Sequence, residues 1–482
     1  MKGLPRLRRV LAASVVPVLA LVLAVGASPL LALAQETAQA AYSAAEPPTL
    51  TSSKALLVER ETGTTLYEAG ADERAYPASL TKVMTALVVL ENADLDAEVT
   101  VEEGDLDEVT WDSSIAGLKV GETLTVRDLL ACLLVPSGND ASYVLARFVG
   151  GGDWHAFVDM MNERAAQLGC EGTHFANPCG LHDDNHYSTA RDLVRIFEAA
   201  LAYPEFEEIA GSESWNLPET SQNPARTLES TDTLLDPESP VYMGDTVVAS
   251  KTGTTLEGGR CLITLAQRDG RTLVGVVLGA PMDADAEGVT SNFYDMRSLL
   301  EWGFGAWRTG DVVAVGDVVG SAEVSLSSDG DAVDALATSS IAATVPAETT
   351  LDDLTLTPSW DEAFQAPLDA DAPLGKVSVA LGDRELGTVT VAAAHAMALS
   401  IPSYLVWWLT SDPVHTVLAV VGVVAVLVVV GLIASAPSRS RRRRSKATSS
   451  PQRRAVARSV EPTRLKTPAK VKGKHIGSHM RR

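Results

Sequence analysis

The spacing of apolar residues changes character several times along the chain. In "KALLVERETGTTLYEAG", from Lys54, apolar and polar positions alternate on both sides of Glu61-Thr62-Gly63-Thr64, which predicts a β-hairpin. From Ser79, "SLTKVMTALVVLENA" moves to helical spacing, with Pro77 and a serine cap at its start. "TVRDLLACLLVPSGNDASYVLARFVG" predicts two helices broken at Pro136-Ser137-Gly138-Asn139, and "DWHAFVDMMNERAAQLG" a further amphipathic one in which Met160 and Met161 fill core. A polar loop comes next, then a helix opened by Ser188 and Thr189. "DTVVASKTGTT", "CLITLAQ" and "TLVGVVLGA" predict three strands, the last two joined by a tight turn at Arg268-Asp269-Gly270-Arg271, and "SNFYDMRSLLEWGFGAW" closes the region as a helix. A hairpin at one end, a meander at the other and helices between them predict an α/β (α+β) domain over residues 51–310. Its one antiparallel sheet is assembled from both ends of the segment, with a helical cluster in the middle.

Beyond Gly310 the chain is rich in Val, Ala and Thr with Asp-Gly turns, which predicts a small β-domain over 311–395. A juxtamembrane linker over 396–413 leads into an uncharged apolar segment over 414–436, long enough to span a bilayer. Arg439 and Arg441 to Arg444 come immediately after it, which predicts that the basic tail over 437–482 is cytoplasmic; Tyr404, Trp407 and Trp408 stand where an outer interfacial belt belongs. The first residues carry Lys2, Arg6, Arg8 and Arg9 before an apolar run that ends at Ala32-Leu33-Ala34, the pattern of a signal peptide over 1–34. An uncleaved anchor is the competing reading, and either one exports the domains carboxy-terminal to it. Residues 35–50 read as a small-residue linker.

The formal net charge of −23 is unevenly spread, because the last 46 residues carry 16 Lys/Arg against one acid. The exported part is therefore strongly acidic, which disfavours nucleic acid as a partner. The tail, beside a membrane span, is suited to lipid phosphates. Of the four cysteines, none has zinc-site spacing; Cys132 and Cys261 read as buried apolar residues, and a disulfide is open to Cys170 and Cys179, which flank one loop. His174, His182 and His186 cluster in the same loop and read as structural, Asp183 and Asp184 as solvated or capping. No cofactor and no metal is expected.

The candidate chemistry lies in three short stretches. Ser79 and Lys82, at i and i+3, share one helix face, where a neutral amine can act as base for a hydroxyl nucleophile. Ser137-Gly138-Asn139 occupies an interhelical loop. Lys251-Thr252-Gly253, with Thr254 next to it, lies at a strand end, offering a cation, hydroxyls and a glycine that permits close backbone approach. Each alone has a bland reading: a capped helix, a helix-breaking turn, an edge lysine. Together, in this order and these contexts, they form the signature shared by class A β-lactamases and penicillin-binding proteins.

The chain resembles the low-molecular-mass penicillin-binding proteins, serine-type D-alanyl-D-alanine carboxypeptidases of the S11 peptidase family. The matching stretches are "YPASLTKVMTAL", "LLVPSGNDA", "THFANPCGLHDDNHYSTARDL", "ASKTGTT" and "LLEWGF", with "APLGKVSVAL" fitting the β-domain beyond them. The resemblance implies a β-lactamase/transpeptidase-like catalytic domain acting on peptidoglycan stem peptides and blocked by β-lactams. It implies Ser79 as nucleophile, Lys82 as its base and Ser137 as a proton relay. Asn139, Lys251, Thr252, Gly253 and Thr254 are implied for substrate binding, with Lys251 keeping Lys82 neutral and the N–H groups of Ser79 and Thr254 forming the oxyanion hole.

Two departures stand out. Several relatives use an arginine beside the substrate carboxylate; none is evident here, and Thr231 and Asn292 stand where it is sought. Many relatives also end in an amphipathic helix on the membrane, whereas this chain has a full span and a basic tail. A β-lactamase is the first rival, but the Glu-x-x-Leu-Asn loop of class A relatives is missing between Ser137 and Lys251. A D,D-endopeptidase on the same fold and a non-catalytic sensor of muropeptides or β-lactams are the others.

Overall fold

The computed structural model describes residues 46–435. The signal peptide expected over 1–34, most of the 35–50 linker and the basic tail over 437–482 lie outside the described residues.

The helices are α1 (Thr81–Asn92), α2 (Val126–Leu134), α3 (Asn139–Val149), α4 (Trp154–Gln167), α5 (Ala190–Ala200), α6 (Pro204–Ala210), α7 (Ser291–Ala306), α8 (Ile401–Ser411) and α9 (Pro413–Ala434). The strands of the first half are β1 (Lys54–Glu59), β2 (Thr64–Ala69), β3 (Glu98–Thr100), β4 (Thr123–Thr125), β5 (Ser214–Leu217), β6 (Arg226–Glu229), β7 (Val247–Thr255), β8 (Gly259–Arg268) and β9 (Arg271–Ala280). The β-rich part beyond them contains β10 (Trp307–Val313), β11 (Val318–Ser325), β12 (Ala332–Ala337), β13 (Ile341–Pro346), β14 (Thr355–Trp360), β15 (Phe364–Gln365), β16 (Pro373–Leu381) and β17 (Arg384–Ala393).

The first five-stranded sheet runs β2-β1-β9-β8-β7, antiparallel throughout. The amino-terminal hairpin therefore pairs with the carboxy-terminal meander, Leu57 opposite Gly275, as the alternation predicts. The turn between β8 and β9 places Asp269 and Gly270 at φ 51° and 77°, a left-handed pair that this two-residue hairpin requires. One face of the sheet packs on α7 through Leu262, Leu273, Val277, Met296 and Leu300. The other face meets the helical cluster, where Leu56, Ile263 and Val274 join Val83, Leu87, Leu129, Val144 and Phe197 in a continuous core. α1 lies inside that cluster, and nine consecutive residues from Thr81 to Val89 are buried. A helix buried all round needs no amphipathic stripe, so Lys82 within it is an anomaly that asks for a function.

One local expectation fails. Ser79 does not cap α1: Ala78–Leu80 form a single 3₁₀ turn before it, with Ala78 held left-handed at φ 49°, and the Ser79 hydroxyl faces Lys82 instead. No disulfide forms either. All four cysteines are free and buried, Cys170 Sγ pointing to the Asp192 carbonyl and Cys179 Sγ to Asn177 and Tyr143.

The β-rich part holds its own core of Val, Ala and Leu around Val345, Leu374, Val377 and Val389, with a six-stranded sheet in the order β14-β16-β17-β12-β11-β15 and the pair β10-β13. It meets the first sheet at a polar, buried point. Glu59 at the end of β1 is fully buried, and its carboxyl accepts from Thr62 N–H at 2.8 Å and from Thr344 Oγ1 of β13 at 3.1 Å. Thr309 of β10 reaches the same Thr344 hydroxyl at 2.9 Å. In the carboxy-terminal unit, α9 spans 22 residues without Asp, Glu, Lys or Arg, about 33 Å of helix, enough to cross a bilayer. Asp412 caps it through the Val414 N–H at 2.8 Å, and the His415 ring stacks on Trp408.

Candidate active site

Ser79 stands half exposed at the floor of a cavity of about 580 Å³, which Ser137, Asn139, Thr252, Gly253 and Thr254 also border. Lys82, the second residue of α1, is fully buried below it. Its Nζ donates to Ser79 Oγ at 2.8 Å, to Asn139 Oδ1 at 2.7 Å and to the Cys179 carbonyl at 2.8 Å. These three bonds use every N–H of an ammonium. Two of the acceptors, an amide oxygen and a backbone carbonyl, can only accept. When the proton leaves, the neutral amine keeps those two bonds and turns its lone pair toward the Ser79 hydroxyl. Burial pushes the Lys82 amine down to about 8, although Asp140 pulls the other way. The arrangement is a hydroxyl hydrogen-bonded to an amine that burial brings close to neutrality, the geometry that a nucleophile and its base require.

The partners of Lys82 come from distant elements, each held for a local reason. Asn139 opens α3, and its Nδ2 donates to Ser113 Oγ at 2.9 Å, which fixes the amide with its oxygen toward Lys82. Asp140 next to it accepts from the Ala116 and Leu118 N–H groups, both at 3.0 Å, and so fastens the 114–118 loop to the start of α3. The Cys179 carbonyl reaches Lys82 because Gly180 crosses the Ala78 carbonyl at φ 90°, where a Cβ would come within 1.9 Å of that oxygen. Ser137 is held left-handed at φ 63°; its hydroxyl is buried and has no hydrogen-bond partner among the described residues. A strained residue with an unsatisfied hydroxyl on a cavity wall is unusual in a merely structural turn.

β7 forms the opposite wall. Gly253 packs on the 3₁₀ turn that holds Ser79: a Cβ there would stand 3.1 Å from both the Pro77 carbonyl oxygen and the Ser79 nitrogen. Lys251 is 1 % exposed, and its Nζ donates to the Thr252 carbonyl at 3.1 Å. Burial pushes its amine well down, the nearby Lys82 pushes it further, and Asp232 opposes both. Asp232, itself buried, has its carboxyl raised by desolvation. Thr252 and Thr231 are hydrogen-bonded to each other through their hydroxyls.

The structure thus brings Ser79, Ser137, Asn139, Thr252, Gly253 and Thr254 to one cavity, with Lys82 and Lys251 beneath its surface. Thr231 and Asn292 border it as well. The loop histidines diverge. His186 accepts the Ala176 N–H at Nδ1 and therefore donates from Nε2 to Thr81 Oγ1 at 2.7 Å, while His182 packs edge-on against Tyr76. Sequence reasoning missed the Cys179 carbonyl, Asp232 and Arg260. The first is a main-chain atom with no residue signature, although the glycine after it is a trace. The other two lie outside the three motifs.

A five-stranded antiparallel sheet flanked by helices, with a Ser–Lys pair at its edge, defines a serine hydrolase of the penicillin-binding type. The sequence profile of Peptidase S11, D-alanyl-D-alanine carboxypeptidase, matches residues 41–282, and that of the penicillin-binding protein 5 C-terminal domain matches residues 307–398. The chain belongs to the S11 D-alanyl-D-alanine carboxypeptidase family. It is 33 % identical over 272 residues to the D-alanyl-D-alanine carboxypeptidase of Streptomyces sp. strain K15, covering 54 % of this chain and 90 % of that protein. It is 36 % identical over 230 residues to D-alanyl-D-alanine carboxypeptidase DacB2 of Mycobacterium tuberculosis, covering 47 % of this chain and 74 % of that protein. Among solved structures, penicillin-binding protein 5 from Haemophilus influenzae superposes with a TM-score of 0.54 at 28 % identity, over 73 % of this chain and 99 % of that one.

Proposed function

We propose that this protein removes the terminal D-alanine from peptidoglycan stem pentapeptides through an acyl-enzyme on Ser79. The observation that carries the reading is the 2.8 Å bond between the Lys82 amine and the Ser79 hydroxyl at the floor of an open cavity. Neutral Lys82 takes the Ser79 proton as Oγ attacks the carbonyl between the two terminal D-alanines. The N–H groups of Ser79 and Thr254 stabilise the oxyanion, and the Gly253 contact sets how far apart they lie. Ser137, with its hydroxyl uncommitted, passes the proton to the departing D-alanine nitrogen. Thr252 and Thr254 line the side of the cavity where the leaving residue sits, and Asn139 holds Lys82 and borders the peptide. Water then releases the shortened peptide. A β-lactam, whose strained amide mimics the same bond, acylates Ser79 and leaves slowly.

The placement in the cell follows from the termini. An amino-terminal export signal over 1–34 delivers a catalytic domain (51–310) and β-domain (311–395) outside the bacterial cell membrane. α9 anchors them there, and Arg439 to Arg444 keep the basic tail (437–482) in the cytoplasm against lipid phosphates. A role in cell-wall maintenance and cell shape follows from trimming stem peptides.

The test is labelled penicillin on wild type and Ser79→Ala, followed by D-alanine release from a stem pentapeptide. Wild type should be labelled and release D-alanine, and Ser79→Ala should do neither. Labelling without release would favour the sensor, and rapid multiple-turnover hydrolysis of a cephalosporin the β-lactamase.

A further inference from the structure

A carboxypeptidase must hold a free C-terminal carboxylate, and the two lysines of the site are poorly placed to do so. All three donors of Lys82 are committed, and Lys251 lies under the surface with its amine on the Thr252 carbonyl. Burial beside Lys82 also drives Lys251 toward its neutral form. A permanent cation on the cavity wall is what the substrate requires. Among the described residues, Arg260 is the one arginine or lysine that lines the cavity.

Its position is set by strand register. Arg260 lies on β8 directly across from Thr254 of β7, and its Nη1 donates to Thr254 Oγ1 at 3.2 Å. Nε of the same guanidinium is buried and has no hydrogen-bond partner, and among the described residues no carboxylate lies within ion-pair distance of the group. A buried guanidinium N–H without an acceptor is costly, and a guanidinium fork matches the two oxygens of a carboxylate. Thr254, accepting from Arg260, still has its own O–H to donate.

We propose that Arg260 binds the terminal carboxylate of the substrate, with the Thr252 and Thr254 hydroxyls beside it, and so makes the enzyme select free C-terminal peptides over blocked ones. This rests on the carboxypeptidase reading of the site. It places the carboxylate-binding arginine on β8, away from Thr231 and Asn292, where the resemblance looks for it.

The test uses the full chain in detergent with two substrates: an N-acetylated peptide ending in D-Ala-D-Ala and the same peptide with a C-terminal amide. Wild type should prefer the acid. Arg260→Gln should lose roughly 10- to 100-fold in kcat/KM on the acid and little on the amide, so that the preference collapses. Arg260→Lys should restore part of it. An equal loss on both substrates would mean that Arg260 only supports Thr254, and an unchanged preference that the carboxylate binds elsewhere; either overturns the proposal. Should Arg260→Gln not fold, Arg260→Lys decides by the same ratio, an unaltered preference again counting against Arg260. Absence of D-alanine release by wild type would instead bring down the carboxypeptidase reading itself.

Discussion

Asn139 Oδ1 accepts a hydrogen bond from Lys82 Nζ at 2.7 Å, across 57 residues of sequence. The bond ties α1 to the first residue of α3 below the cavity. Because the amide oxygen can only accept, it holds one N–H of Lys82 in both protonation states. On the proposed mechanism the proton exchanged is therefore the one shared with Ser79, and this sets how activity should depend on pH.

Acylation of Ser79 by penicillin, followed as a rate constant between pH 5 and 10, should rise with pH and level off above about 8, where Lys82 becomes neutral. The sign follows from the neutral amine being the base. Lys82→Arg, which stays charged throughout, should show no acylation at any of these values. A rate that falls with rising pH through this range would remove Lys82 as base.

Gly253→Ala tests the spacing between β7 and the nucleophile. The new methyl meets the Pro77 oxygen and the Ser79 nitrogen at 3.1 Å and Ala78 Cβ at 3.2 Å, so strand and turn must part slightly. The shift is a few tenths of an ångström, and a full ~1 Å at reacting groups costs about 100-fold in rate, so D-alanine release should fall by about 2- to 10-fold in kcat while circular dichroism stays native.

His186 makes stability sensitive to acid. Burial lowers its imidazole to about 4, against 6.5 when unfolded. Above 6.5 both states are neutral and stability is full. As pH falls from 6.5 to 4 the unfolded chain takes up a proton that the folded one refuses, so roughly 3 kcal/mol is lost across that window. Urea melts at pH 7 and pH 4 should show the loss, and His186→Gln should remove that share of it.

Truncation after Ser400 removes α8 and α9. The shortened protein should stay in the supernatant of lysed cells and still bind labelled penicillin, whereas the full chain should sediment with membranes. Sedimentation of both would show that another segment attaches the protein.

Much of the molecule is readable in its residues because the relevant physics is local. A three-residue separation across a helical start brings Ser79 against Lys82, although the turn at Ser79 is 3₁₀ and not α, and strand alternation from Lys54 and from Val247 predicts the sheet. The amphipathic and apolar runs predict α2 to α5, α7 and α9. The short pairs β3-β4 and β5-β6 are not legible, since three or four residues carry no period, and the seven residues of α6 are too few to show a helical one. The site residues outside the motifs depend on long-range geometry. Cys179 contributes a main-chain atom, and Asp232 approaches Lys251 from a separate loop. Arg260 faces the cavity only because the β7–β8 turn sets it opposite Thr254. Ser79 reads as a cap because sequence does not show that Ala78 turns left-handed first.

Glu59 carries a last consequence. Its carboxyl is sealed between the end of the first sheet and Thr344 of the β-rich part, where threonine hydroxyls and main-chain N–H groups donate to it. Peeling the two parts from one another would strand that group without its full set of donors, so each layer melts at the other's expense. The two parts should therefore unfold together in a single calorimetric peak, each a thermal partner of the other.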